Sequence, residues 1–398
     1  MRKKDTHTKM KIFILILVGM GSILQAQKFT SLAQTPPMGW NSWNYFACDS
    51  LNEEVVKATA DAMLNSGMKE AGYQYIVIDD CWQIDRDSKG KIIVDSIKFP
   101  HGIKALADYI HSIGLKFGIY SDAGTHTCGG HPGSKDYELI DARTYAEWGV
   151  DYLKYDWCNT EGQEVKSSYT KMRDALFKAK RPIVFSICDW GESRTWEWAD
   201  TVGHLWRTTL DIAPRWDGNR WGNQLGWTEI LEKQVGLEKY AGPRHWNDPD
   251  MLEVGNPGLN INESKTHFTM WCMLAAPLIC GNNLMNMSDS IQAILTNKNL
   301  IAIDQDSLGK QGFKIYDEGN FEIWQKPLVN GDIAIAFLNL ENKTKDFTFE
   351  FNKLPIKGVQ GTYKALNLWN NTKLALSDDK INISIPARGV LIYRLSEE

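Results

Sequence analysis

The chain has 398 residues, 43% of them hydrophobic. That length exceeds one small core and suits a barrel of about 250 residues with a second domain, and the apolar content excludes disorder as the main state. A net charge of −5 and a pI near 6.0 leave no basic footprint for nucleic acid or for an anionic membrane.

At the N-terminus, Lys3, Lys4, Lys9 and Lys11 precede the apolar run IFILILVGMGSIL and then Gln25-Ala26-Gln27. A basic region, a short apolar stretch and a small residue before a cut after Ala26 read as a signal peptide over 1–26. The run is short for a bilayer span, so no stable membrane insertion is expected after cleavage; an uncleaved anchor is the alternative. The mature chain is expected to be secreted or periplasmic, where disulfides can form.

A polar linker leads to TPPMGWNSW, whose prolines bar a helix, and Met38–Trp43 reads as a first strand. Helical spacing of Val55, Ala58, Ala62 and Met63 predicts a helix over 52–70. A strand follows at Tyr73–Asp80, then a glycine-ended helix at Gly102–Gly114 and a strand at Lys116–Asp122. Next come a helix at Glu138–Gly149, a strand at Val150–Trp157, a helix over 163–179 and a strand over 182–190. A short helix at Thr195–Thr201, a strand at His204–Ile212, a helix over 227–240 and a strand over 244–252 continue the pattern. A helix over 261–273 runs into the strand AAPLICGNN, and a last helix covers 289–299. Strand and helix alternate about eight times, which favours a closed (β/α)8 barrel over an open sheet.

The barrel is expected over 35–311. From Gly312 the texture changes to short alternating segments (FEIWQKPL, DIAIAFLNL, TKDFTFEF, TYKALNLWN, INISIPA and GVLIYRL) separated by Asn, Asp, Gly and Lys. An antiparallel β-sandwich domain is expected over 312–398, read as a packing or accessory domain. Asn-x-Ser/Thr sequons occur, for example at Asn342 and Asn382.

The chemistry gathers where strands end. YLKYDWCN closes an apolar strand on Asp156, and a carboxylate there must be paired or poised for a reaction. The event recurs at Asp79 and Asp80, Asp122, Asp189, Asp211, and Asp248 and Asp250. In a (β/α)8 barrel these positions face the active-site end. A single Asp at such a junction often caps the next helix, and Asn-Asp-Pro around Asp248 is ordinary turn chemistry. Asp156 and Asp211 together, among so many partners, point to function. Two carboxyl groups can cleave a glycosidic bond, and a retaining enzyme needs them about 5–5.5 Å apart. Adjacent Asp79 and Asp80 suit a grip on neighbouring sugar hydroxyls, while Lys154 and Arg207 would keep nearby aspartates ionised. Sixteen tryptophans are many for this length; most are expected in the core, and those at strand ends can stack on sugar rings.

Other chemistries fit poorly. His126, His131, His204 and His245 are scattered without an H-x-H pair, so no metal is expected, and phosphate- and dinucleotide-binding glycine motifs are absent. Of seven cysteines, Cys128 and Cys158 could meet at one rim as a disulfide, Cys48 and Cys81 form a second candidate pair, and Cys188, Cys272 and Cys280 read as buried thiols.

The ordered motifs MGWNSWNYF, IDDCW, FPHGIKALADYIHSIGLKFGIYSDAG, CGGHPGS, AEWGVDYLKYDWCN and WNDPDML resemble glycoside hydrolase family 27, the α-galactosidase and α-N-acetylgalactosaminidase family, over residues 35–312. The resemblance implies a retaining double displacement on a terminal α-linked galactose, without a cofactor. It implies Asp156 as nucleophile and Asp211 as acid/base. Asp79 and Asp80 would hold the far hydroxyls, and Trp43, Tyr120, Lys154, Arg207 and Asp250 would line the pocket. It implies the pairs Cys128–Cys158 and Cys48–Cys81. One departure stands out: Asp189 in ICDW replaces the family's usual Glu near the sugar 2-hydroxyl. An acid there still argues against an N-acetyl group, and Asp79 fits a galactose hydroxymethyl arm better than the larger Glu of arabinopyranose-cleaving members. The alternatives are those two substrates, N-acetylgalactosamine and β-L-arabinopyranose, or a galactose-binding protein without catalysis.

Overall fold

A computed structural model describes residues 28–218, 224–350, 363–375 and 380–397. The segment read as a signal peptide, 1–26, lies outside the described residues. Eight parallel strands line a central core: Met38–Asn41, Tyr75–Val77, Lys116–Asp122, Tyr152–Asp156, Val184–Ile187, Leu205–Arg207, Trp246–Asp248 and Leu278–Cys280. Each pairs with its neighbour in chain order, and the first also pairs with the eighth. Just past the seventh strand, Leu252 N–H donates to Ile279 O at 2.8 Å and Gly281 N–H to Leu252 O at 3.0 Å. That bridge closes the circle. The strands are short, apolar and buried, as expected where helices cover the outside of a parallel sheet.

Most expected helices are present, with ends set by local chemistry, but the one expected over 227–240 stops at Glu232, followed by a 3-10 turn at Glu238–Tyr240, and the one expected at Thr195–Thr201 is two 3-10 turns, Thr195–Glu197 and Ala199–Thr201. The helix expected over 52–70 is two, Glu53–Asn65 and Met68–Ala71, because Gly67 takes φ 76° between them. Asn52 caps the first of these by accepting from Val55 N–H at 2.9 Å. The last expected helix also splits, into Asp289–Leu295 and Lys298–Asp304, where Asn297 caps the second. The sixth strand is shorter than expected. It ends at Arg207, and Asp211–Ile212 turns outward to pair with Gln224–Leu225. Asp211 therefore stands on a loop ribbon over the mouth rather than on a barrel stave. A hairpin of Gln83–Arg86 with Ile92–Val94 was not anticipated.

The C-terminal strands form a six-stranded antiparallel sheet, containing Phe313–Asp317, Phe321–Pro327, Ile333–Asn339, Tyr363–Asn367, Lys373–Ala375 and Gly389–Glu397, with a separate pair, Lys345–Glu350 and Lys380–Ile385. One face buries Phe321, Ile323, Ile335 and Phe337 in its own cluster, while Trp324, Ala334, Ala336 and Ile392 join the barrel's core. The helix Ile261–Leu274 sits between the two parts. Asn262 Nδ2 donates to Ala387 O at 2.7 Å, Lys326 Nζ to Cys272 O at 2.9 Å, and Arg388 pairs with Glu263 at 2.8 Å.

Gly39 shows how tightly the first two strands meet: an added Cβ would lie 2.4 Å from Tyr75 O and 2.7 Å from Tyr75 Cβ. Both strands are fixed on two sides, so little relief is available. Gly39→Ala is expected to cost about 1–3 kcal/mol of stability, the range for overpacking a rigid core. Urea denaturation measures it, and an unchanged midpoint would contradict this packing.

Candidate active site

The C-terminal ends of the strands open into a cavity of about 470 Å³, counting the solvent at its mouth. Trp43, Asp79, Asp80, Tyr120, Lys154, Asp156, Arg207, Asp211 and Asp250 all line it. They come from separate parts of the chain, and the barrel gathers them because every strand delivers its last residue to the same end.

Asp156 closes the fourth strand and is 5% exposed. Its Oδ2 accepts from Tyr120 Oη at 3.0 Å, and Oδ1 accepts from Trp157 N–H at 3.1 Å. Burial pushes this carboxyl up to about 6; Lys154 opposes that shift, and the charges of Asp211 and Asp79 add to it. Asp211 differs in kind. Its side chain is 47% exposed and touches Arg207 Nη2 at 3.1 Å. One acid is thus buried and oriented, while the other reaches water.

The remaining acids are fixed in place. Asp79 Oδ2 accepts from Asn41 Nδ2 at 2.7 Å and Lys154 Nζ at 2.9 Å, and its Oδ1 accepts from Asp80 N–H at 3.0 Å. Asp80 accepts from Cys81 N–H at 2.7 Å and Gly129 N–H at 2.8 Å. Asp250, held at φ 84°, pairs with Arg207 at 2.7 Å and accepts from Ile212 N–H at 2.9 Å. That contact ties the ribbon carrying Asp211 to the seventh strand. The disulfides Cys48–Cys81 and Cys128–Cys158 are both formed. Cys128 Sγ lies 3.4 Å from Asp156 Oδ2, so the second bridge forms part of the wall. Cys188, Cys272 and Cys280 are buried thiols.

Asp189 is the exception. It is 1% exposed and does not line the cavity. Its carboxylate turns back into its own loop, accepting from Ser193 N–H at 3.0 Å, Gly191 N–H at 3.2 Å and the hydroxyls of Ser193 and Thr195. The expected place beside the sugar is therefore not where this carboxylate stands: the short side chain is held in the turn and does not line the cavity. The turn places the next residue, Trp190 (φ 54°), in the cavity instead. Sequence reasoning missed Trp190, Asn44, Ile212, Gln224 and Met251 as lining residues. The first two directly follow Asp189 and Trp43, which was the available signal. Most other tryptophans pack: Trp40, Trp82, Trp206, Trp227, Trp246, Trp271 and Trp324 are fully buried.

Two further acids lie behind the wall. Asp122 accepts from Gly124 N–H at 2.6 Å and Cys158 N–H at 2.9 Å, and burial together with the Asp156 charge pushes it up to about 8. Asp248 lines a smaller inner cavity with Tyr152, Ser186 and Cys188. Among the described residues, the acid, cysteine and histidine clusters close enough to share a metal ion are already engaged. Two of them use disulfide sulfurs, and the third, Glu232, Asp317 and Glu322, surrounds Lys314 Nζ at 2.5–2.9 Å.

A barrel mouth lined by one buried and one water-reaching carboxylate, three further acids and two indoles is an arrangement that suits a glycoside hydrolase. The chain belongs to the α-galactosidase family, glycoside hydrolase family 27. The family model "Alpha galactosidase A" matches residues 35–306, and "Alpha galactosidase C-terminal beta sandwich domain" matches 318–395. The chain is 50% identical to alpha-galactosidase A of Cellvibrio japonicus, over 96% of this chain and 98% of that protein. Its fold is similar to alpha-galactosidase I of Mortierella vinacea, with a TM-score of 0.89 and 36% identity, covering 93% of this chain and 98% of that one. It is likewise similar to the α-galactosidase of Saccharomyces cerevisiae solved with raffinose, with a TM-score of 0.88 and 31% identity over 93% and 99% of the two chains.

Asp189→Ala removes the acceptor for the buried Thr195 hydroxyl, the half-buried Ser193 hydroxyl and two N–H groups. A loss of about 1–3 kcal/mol in chemical denaturation is expected, the cost of leaving buried donors unpaired. Unchanged stability would contradict the loop-bracing role.

Proposed function

We infer that the protein is a retaining α-galactosidase that removes terminal non-reducing α-D-galactose from oligosaccharides or galactosylated polysaccharides. The observation that carries this reading is the asymmetry of Asp156 and Asp211 on one cavity: buried and hydrogen-bonded against half-exposed. The activity named for the relatives supports the galactose specificity.

In the first step Asp156 attacks the anomeric carbon while the bond from that carbon to the leaving oxygen breaks, and the Asp211 carboxyl gives its proton to that oxygen. In the second, the Asp211 carboxylate takes a proton from water, the water oxygen bonds to the anomeric carbon, and the ester to Asp156 breaks. Two inversions restore the α configuration. Asp79 and Asp80 accept hydrogen bonds from the far hydroxyls, with Lys154 steering both Asp79 and Asp156. Trp43, Asp250 and Arg207 complete the pocket. Catalysis belongs to 35–311, and 312–398 serves as a packing or accessory domain. Residues 1–26 direct export, in line with the disulfides.

Asp156→Asn is expected to lower turnover at least ~10³-fold, about 4 kcal/mol of barrier, with an unchanged melting transition. Proton NMR of the first-formed sugar should show α-galactose; β-galactose would refute the retaining mechanism. The pH profile gives a second test. The nucleophile must be ionised, so kcat/KM should fall as pH drops through about 6, the value to which burial raises Asp156. Tyr120→Phe removes a hydrogen bond that favours the carboxylate, so that acid limb should move to higher pH. A limb that stays put or moves lower would contradict the assignment.

A further inference from the structure

A second cavity, of about 600 Å³, opens beside the catalytic one. Tyr45, Pro257, Asn282, Asn283, Asn286 and Ser288 contribute to its lining, which among the described residues contains no charged side chain. The two cavities share a wall. Trp43 and Asn44 line the first, and Tyr45, the next residue, lines the second. Behind them Glu253 bonds to the amides of Asn44 and Asn256, and Asn256 Nδ2 donates to Gly281 O at 3.2 Å. Asn282 follows; it is 2% exposed, and its Oδ1 has no hydrogen-bond partner.

This lining has a chemical signature. Charged ligands find no counter-ion in it. Side-chain amides and a hydroxyl both donate and accept, which matches vicinal hydroxyl groups. The Tyr45 ring is 47% exposed and supplies a flat apolar surface with a polar tip. A neutral, hydroxyl-rich chain leaving the catalytic cavity over Trp43 and Asn44 would meet this surface next. We propose that the cavity is a binding site for the neutral sugar chain to which the scissile galactose is attached, several residues from the cleavage point. This deepens the α-galactosidase reading and rests on it.

Tyr45 and Asn286 are both exposed, and the catalytic steps above use neither, so each can be changed without touching the reaction centre. The test compares the full-length wild type with Tyr45→Ala and Asn286→Ala on nitrophenyl α-galactoside and on a galactose-substituted mannan. The expected result is a rise in KM for the mannan of about fivefold or more, the worth of one or two net contacts, with kcat unchanged. kcat/KM for the nitrophenyl substrate should stay at the wild-type value. Tyr45→Phe keeps the ring and should recover most of the loss. Equal effects on both substrates, or none on the mannan, would overturn the proposal. A wild type that turns over neither substrate would refute the α-galactosidase reading itself, and this one with it.

Discussion

Five carboxylates, Asp79, Asp80, Asp156, Asp211 and Asp250, crowd one cavity with two cations, Lys154 and Arg207. Burying so many acids costs several kcal/mol per ion unless the charges are paired and hydrogen-bonded. Lys154 sits 2.9 Å from Asp79 and holds down the carboxyl of Asp156; Arg207 sits 2.7 Å from Asp250 and 3.1 Å from Asp211. These two side chains make the site possible. They leave it net negative, which suits a reaction whose transition state carries positive charge on the sugar. The same field that stabilises that charge is the one that burial alone would abolish by protonation.

The parallel register then divides the labour among the acids. Pairing of the third and fourth strands sets Tyr120 beside Lys154 and Asp122 beside Asp156. Burial and the Asp156 charge push the Asp122 carboxyl up, while Lys154 opposes the rise at Asp156. Asp211 escapes this layer because its strand ends at Arg207 and the chain turns outward. A loop position gives it access to water, in line with the acid/base role proposed for it.

Much of this is legible in the sequence. Strand-end acids reveal themselves because an apolar run that stops on Asp is chemically odd, and a barrel sends all such ends to one place. The direction of a side chain is not written so plainly. Asp189 has the same sequence context as Asp156, yet hydroxyls at Ser193 and Thr195 capture it. The hairpin at 83–94 went unseen because its strands are only three and four residues long and expose Ile84 and Ile93. The second cavity draws on three distant segments, around Tyr45, Pro257 and 282–291, and no periodicity links them.

The proposed double displacement turns on a covalent bond between galactose and one oxygen-bearing side chain. Incubation with a fluorinated α-galactoside, which forms that ester faster than water removes it, followed by mass spectrometry of the digested protein, reads the bond directly. A galactosyl mass on the peptide containing residues 152–159, localised to Asp156, is the predicted result. The same mass on Asp211 or Asp79, or full turnover with no labelled peptide, would contradict it.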